Sequence, residues 1–182
     1  MDLKLRKATE ADLDGLDQVM LVISDAPGDR EKVKALLQKI DADPQKYLLV
    51  AEDRETGTIC GSLFGVVFED ICDSCRPILL VENVAVLESY QGRGVGRAMF
   101  QEIERWGKEQ WDCHYEILAS GLNRTGAHKF YHALDFQEVK GFKKYLYKKR
   151  LATPFNKCRG SPVVESITKG RHGTCFLRTS AS

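Results

Sequence analysis

Leu3 and Leu5 alternate with polar residues at the head of the chain, a period of two that predicts a first strand. Thr9, followed by Glu10, Ala11 and Asp12, reads as a helix N-cap with acids in the first turn, and the helix runs on to Met20 or Ile23. Ser24 to Asp29 is a loop. Val33, Leu36, Leu37 and Ile40 form a helical stripe within Glu31 to Ile40, which Asp43-Pro44 closes. Tyr47 to Glu52 and Thr58 to Phe68 predict two strands joined through Glu55-Thr56-Gly57 as an antiparallel hairpin. Ile78 to Leu87 is the most strand-like run of the chain. A helix over Gly94 to Gln110 sets Val95, Met99, Ile103 and Trp106 on one face. Tyr115 to Ala119 predicts a short strand and Thr125 to Leu134 a helix. Gln137 to Val139 and Phe142 to Lys149 are the expected closing strands.

Strand–helix–strand units beside hairpins give an α/β fold, a mixed and mostly antiparallel central sheet with flanking helices. The 182 residues suffice for one well-cored domain and are too few for two ordinary ones. Composition shifts after Arg150, so the domain is expected over residues 1–150. Residues 151–182 are expected to be a loosely ordered extension. With 43% hydrophobic and 29% charged residues the chain is of the globular class and not the disordered one. No apolar run could span a bilayer, and the N-terminus has no apolar export core. The expectation is a cytoplasmic protein whose six cysteines are free thiols.

The charge is uneven. Residues 1–90 carry 10 Lys and Arg against 18 Asp and Glu, a net of −8, while residues 91–182 carry 17 against 8, a net of +9. The basic half can attract phosphates and the acidic half a cation, although either can equally be a solvated face.

The sharpest local signal is Gln91-Gly92-Arg93-Gly94-Val95-Gly96, set between a strand and a helix. Three glycines let backbone amides turn toward an anion, and the following helix adds free N–H groups and the positive end of its dipole. Arg93 and Arg97 contribute full charges. Together they predict a pyrophosphate site and hence a phosphate-bearing cofactor. The dinucleotide fingerprint fails because residue 97 is Arg, and the Gly-Lys-Ser/Thr of a P-loop is missing.

Glu82-Asn83-Val84-Ala85-Val86 followed by Gln91-Gly92-Arg93-Gly94-Val95-Gly96-Arg97 resembles the acetyl-coenzyme A signature of the GNAT superfamily of N-acetyltransferases, Gln/Arg-x-x-Gly-x-Gly/Ala. Asn123, Ala127, Tyr131 and Phe136 resemble the family's later segment, and the element order agrees from residue 3 to 149. Residue 135, usually Gly, is Asp here, at a helix C-cap expected to have positive φ.

The resemblance implies acetyl-CoA as co-substrate, with no metal. Its pyrophosphate would lie on the amides of Gly92, Arg93, Gly94, Val95, Gly96 and Arg97, beside Gln91. The backbone of Val84, Ala85 and Val86 would bind the pantetheine and polarise the thioester. Asn123 is a further candidate cofactor contact. A neutral amine would attack the thioester directly in a ternary complex. Tyr131 matches the acid position that protonates the leaving thiolate, though a Tyr beside Phe130 can also be plain core. Glu82 is the candidate base, directly or through water. Strand alternation would set it on the same face as Val84, half-buried, with a raised pKa. The alternative is a Glu paired with a nearby cation.

Cys72-x-x-Cys75 lacks the second ligand pair of a zinc site, and His128 and His132 lack the Glu of a zinc-protease motif. Lys143, Lys144, Lys148, Lys149 and Arg150 with Tyr145 and Tyr147 could suggest nucleic acid, but alternation in a last strand gives the same pattern. The partner is expected to be an amine, small molecule or peptide. Asp25, Asp29, Glu69, Asp70 and Asp73 are expected on the acceptor side, which would favour a cationic one. Exposed sheet edges would suit a homodimer. The competing reading is a coenzyme A-binding regulatory module without turnover.

Overall fold

The computed structural model describes residues 1–72 and 75–146. Among the described residues one sheet holds five strands in chain order: β1 (Leu3–Lys7), β2 (Lys46–Asp53), β3 (Ile59–Phe68), β4 (Ile78–Val86) and β5 (Tyr115–Leu118). The first three pairings are antiparallel and the last, β4 with β5, is parallel. A parallel step needs a crossover, and the helix α3 (Val95–Trp111) supplies it. The other helices are α1 (Leu13–Met20), α2 (Arg30–Asp41) and α4 (Thr125–His132).

The sheet separates two cores. On one face Val95, Met99, Phe100 and Ile103 of α3 bury against Leu49, Leu63, Leu79 and Val81, with α4 packed alongside through Phe130 and Tyr131. On the other, Leu13, Leu16, Val19 and Leu37 of α1 and α2 cover Val50, Ile59 and Ala85. A 3-10 turn, Glu10–Asp12, leads into α1. Its buried Asp12 accepts from the Arg6 guanidinium and the Thr9 amide, each at 2.7 Å, and Arg6 also reaches Glu52 at 2.8 Å. Burial alone would raise the Asp12 carboxyl. The hydrogen bonds from Arg6 and Thr9 outweigh it and hold Asp12 below the usual carboxylate range.

β4 departs from simple alternation. Asn83 has a φ of +54° and the β3–β4 register slips between Ser62 and Phe64, which together mark a bulge. Leu79 and Val81 before it, and Val84 and Val86 after it, all pack toward α3, while Ala85 packs toward α1. The extra residue therefore puts Glu82 and Val84 on opposite faces. The expected shared face is wrong, because alternation was counted through a residue that does not alternate. Glu82 is also exposed and not half-buried.

The two expected closing strands are absent as far as they are described. Gln137 to Val139 and residues 142–146 have no strand structure, and among the described residues β5 pairs with β4 alone. A period of two supplies a face, but a strand also needs a ladder partner. Glu138 instead pairs with His132 at 3.2 Å, and Val139 is exposed. The chain divides into two units, Met1–Gly141 and Phe142–Ser182. In the second, Lys143 stacks over the Tyr145 ring at 5.0 Å. Tyr147 to Arg150 and the extension over residues 151–182 lie outside the described residues.

Candidate active site

β4 and β5 pair from Ile78 with Tyr115 to Val81 with Leu118, and there the ladder stops. From Glu82 to Val86, β4 keeps β3 on one side only. The strands part, and a cleft of about 550 Å³ opens beside Val84, Ala85 and Val86. That volume is in the range of small-molecule and cofactor sites.

The loop after β4 forms one wall. Gly92 and Gly94 have φ of +72° and +87°, and a Cβ on either would meet nothing within 4 Å. Their role is conformational, since left-handed backbone is costly for residues with a Cβ. Gly96 has another role: a Cβ there would come within 2.8 Å of the Phe130 ring, so its bareness lets α4 lie against α3. α3 begins at Val95, so the N–H groups of Val95, Gly96 and Arg97 have no partner inside it. Those of Gly92, Arg93 and Gly94 meet no backbone acceptor among the described residues. A row of unpaired amides at the positive end of a 17-residue helix fits a polyphosphate.

The loop's side chains divide the work. Gln91 donates its amide to the Val86 carbonyl at 3.0 Å and ties the loop to β4. Val95 is buried and offers the cleft its backbone. Arg97 lines the cleft and donates to the Ala133 carbonyl at 3.0 Å, at the end of α4. Arg93 does not line it, lying 5.4 Å above the Tyr90 ring instead.

α4 forms the opposite wall with Ala127, Phe130 and Tyr131. Tyr131 is half-buried, with edge contacts to Phe100 and Phe136, and also lines a second cavity of about 650 Å³ between β5 and the chain after α4. Burial raises its phenol. Arg124 acts against that shift, and Glu82 adds to it. Its hydroxyl has no hydrogen-bond partner among the described residues, so at neutral pH it is a free donor on a residue that lines both cavities. Glu82 is not part of the lining. Asp135 has the expected left-handed conformation, φ +65°, and Phe136 N–H returns to the Tyr131 carbonyl at 3.1 Å.

Asn123 is exposed and outside the lining, whereas its neighbour Arg124 is in it. Sequence reasoning missed Arg124, yet a signal was present. Arg124 immediately precedes α4, and a cation at a helix N-terminus opposes the dipole unless an anion shares the place. Tyr90 was missed as well; it carries no such mark.

Of the acidic residues expected on the acceptor side, those described lie in two loops. Glu69 and Asp70 follow Phe68, which pairs with Ile78 at the start of β4, so they lie at the other end of that strand from Val84. Six residues of strand span about 20 Å. Asp25 and Asp29 follow Val22, which does line the cleft, and Asp73 is outside the described residues. Among the described residues no three His, Cys, Asp or Glu side chains gather as a metal site, and Cys60, Cys72, Cys75 and Cys113 are free.

The sequence model of the Acetyltransferase (GNAT) family matches residues 16–136, from within α1 to the end of the Tyr131 segment. The chain belongs to this family. Aminoglycoside N(6')-acetyltransferase type 1 of Salmonella typhimurium is 30% identical over 79 residues, 43% of this chain and 52% of that protein. The chain thus spans about half the length of the curated relatives it matches. Among solved structures, glucosamine-6-phosphate N-acetyltransferase from Arabidopsis thaliana superimposes with a TM-score of 0.69 at 17% identity, over 81% of this chain and 100% of that one. The aminoglycoside acetyltransferase AAC(6')-Iy, in complex with a bisubstrate analogue of CoA and acetylneamine, gives 0.68 at 20% identity, over 81% and 99%. At such identities the likeness shows the fold. It is the GNAT fold, a mostly antiparallel sheet parted at the parallel pairing of β4 with β5. Among the described residues no helix is long and apolar enough to cross a membrane.

Proposed function

We propose that the protein is an acetyl-CoA-dependent N-acetyltransferase that moves an acetyl group to a primary amine on a cationic acceptor. The observation that carries this is convergence on one cleft: the unpaired amides of Gly92 to Arg97, the edge of β4 that has no strand partner over Val84 to Val86, and the free Tyr131 hydroxyl.

The residues fit the co-substrate. The amide row and the charges of Arg97 and Arg124 suit its pyrophosphate, and the open edge of β4 offers backbone groups to an extended amide-bearing arm. Bound acetyl-CoA would supply an activated thioester and a thiolate leaving group. Tyr131, with its phenol raised by burial, holds a proton that it can give to that thiolate. Glu82, exposed and near enough to influence Tyr131, is suited to take the proton of the incoming ammonium through water. The amine nitrogen then bonds to the acyl carbon as the carbon–sulfur bond breaks, and the second proton it sheds restores the Tyr131 hydroxyl through water.

A cationic acceptor is supported by Asp25 and Asp29 in the loop after Val22 and by the relatives that act on aminoglycosides, compounds carrying several amines. The test is a thiol-release assay with acetyl-CoA and a panel of aminoglycosides, polyamines, amino acids and basic peptides. Turnover confined to cationic amines is the expected result. Binding of acetyl-CoA with no turnover on any amine would instead leave a coenzyme-binding module.

A further inference from the structure

Asp53 ends β2 and is 6% exposed. Its backbone N–H donates to the Thr58 carbonyl at 2.9 Å, and its carbonyl accepts from Gly57 at 2.8 Å, so the residue is fixed by its own hairpin. One carboxylate oxygen accepts from the Glu55 amide at 3.0 Å and completes the turn. The other accepts from the Tyr90 hydroxyl, also at 3.0 Å, 37 positions along the chain. No Lys or Arg pairs with Asp53 within salt-bridge distance among the described residues. A carboxylate lodged there is a costly way to build a turn, for which one acceptor suffices.

What the second oxygen reaches explains the cost. Tyr90 lies between the end of β4 and Gly92 and lines the cleft. Its ring carries the Arg93 guanidinium at 5.4 Å. We propose that Asp53 is a positioning residue for acetyl-CoA: by holding the Tyr90 hydroxyl it braces the Gly92–Arg97 loop, and through the ring it holds the Arg93 charge beside that loop. The carboxyl is itself held below the usual range, first by the Glu55 amide and then by Tyr90, so it is a full acceptor at neutral pH. The β2–β3 hairpin, which contributes no lining residue to the cleft, thereby becomes part of the apparatus that binds the donor.

This inference rests on the reading that the loop holds the co-substrate's pyrophosphate, and the experiment separates the two. Calorimetry with acetyl-CoA is run on wild type, Asp53→Ala, Asp53→Asn, Tyr90→Phe, the Asp53→Ala/Tyr90→Phe double variant and Gly94→Asp. Losing a hydrogen bond to a charged group should raise Kd about tenfold in Asp53→Ala and in Tyr90→Phe. The double variant should be no weaker than either single one, since both remove the same brace. Asp53→Asn should retain most of the affinity, because its amide can serve both partners and the tyrosine hydroxyl can accept. Steady-state kinetics should show the loss in KM for acetyl-CoA, with kcat and the acceptor KM unchanged, a split that a general loss of stability would not produce. Wild-type affinity in Tyr90→Phe, which leaves the hairpin bonds intact, would overturn the inference, as would additive losses in the double variant. If Gly94→Asp alone loses binding, the loop reading stands and the brace fails; if it too binds normally, the loop reading fails.

Discussion

Gln91 gives its side-chain amide to the Val86 carbonyl, so the residue that opens the family signature is spent on holding the loop against β4. Backbone amides of the loop and cations from other positions are left open to a ligand. This division decides which substitutions should matter for binding and which for shape.

Gly94→Asp adds a side chain and a negative charge at the start of α3, at a φ of +87°. The fold should survive with a loss of about 1–2 kcal/mol, the cost of a left-handed residue with a Cβ. Acetyl-CoA affinity should vanish. A folded variant that still binds in calorimetry would remove the pyrophosphate reading of this loop.

Arg124→Ala removes a cation from the mouth of the cleft. Affinity for acetyl-CoA should fall about tenfold at low salt, the scale of one charge-assisted hydrogen bond. The deficit should shrink as ionic strength rises, because the contact is exposed. Titrations at two salt concentrations check it, and a deficit independent of salt would assign Arg124 a packing role.

Tyr131→Phe keeps the ring and its contacts with Phe100 and Phe136 while deleting the hydroxyl. Acetyl-CoA binding should be unchanged, and turnover should slow about 10²-fold, the scale of losing a general acid. Equal rates for the two proteins would pass the leaving-group proton to water.

Glu116 on β5 leaves one carboxylate oxygen buried without a partner and faces Glu104 and Lys108 of α3. Burial, and then the negative charge of Glu104, push its carboxyl up to about 8 from an ordinary 4.5. Between those values the native protein keeps a proton that the unfolded chain releases. Stability should therefore decline as pH rises from about 5 to about 8, by at most about 1.4 kcal/mol per pH unit. Glu116→Gln should flatten that slope and raise the melting temperature at pH 8. Denaturation curves at pH 6 and pH 8 decide the matter, and parallel behaviour of the two proteins would show that Glu116 does not set the slope.

The order of elements from Leu3 to His132 was legible because each segment buries one face, and a buried face leaves a period of two or 3.6 in the sequence. The glycine loop after β4 was legible because Gly92 and Gly94 have backbone angles other residues avoid. The bulge at Asn83 was not, since a single Asn is a weak sign of a left-handed residue and the pattern around it reads equally well without a slip. The strands expected after Gln137 failed for a different reason: their pattern names a face but no partner. Arg124 needed electrostatics more than pattern, and the basic residue ahead of a helix could have been noticed.

The bulge also makes β4 a counted segment. Remove Asn83 and plain alternation sets Val81, Val84 and Val86 toward α3 and Ala85 toward α1, the faces they already hold, whereas one residue added there would turn every later side chain over. The strand can thus shorten by its one surplus residue but cannot lengthen without emptying both cores. In a library of single-residue deletions, Asn83 should therefore stand out within β4 as the position whose loss the strand tolerates.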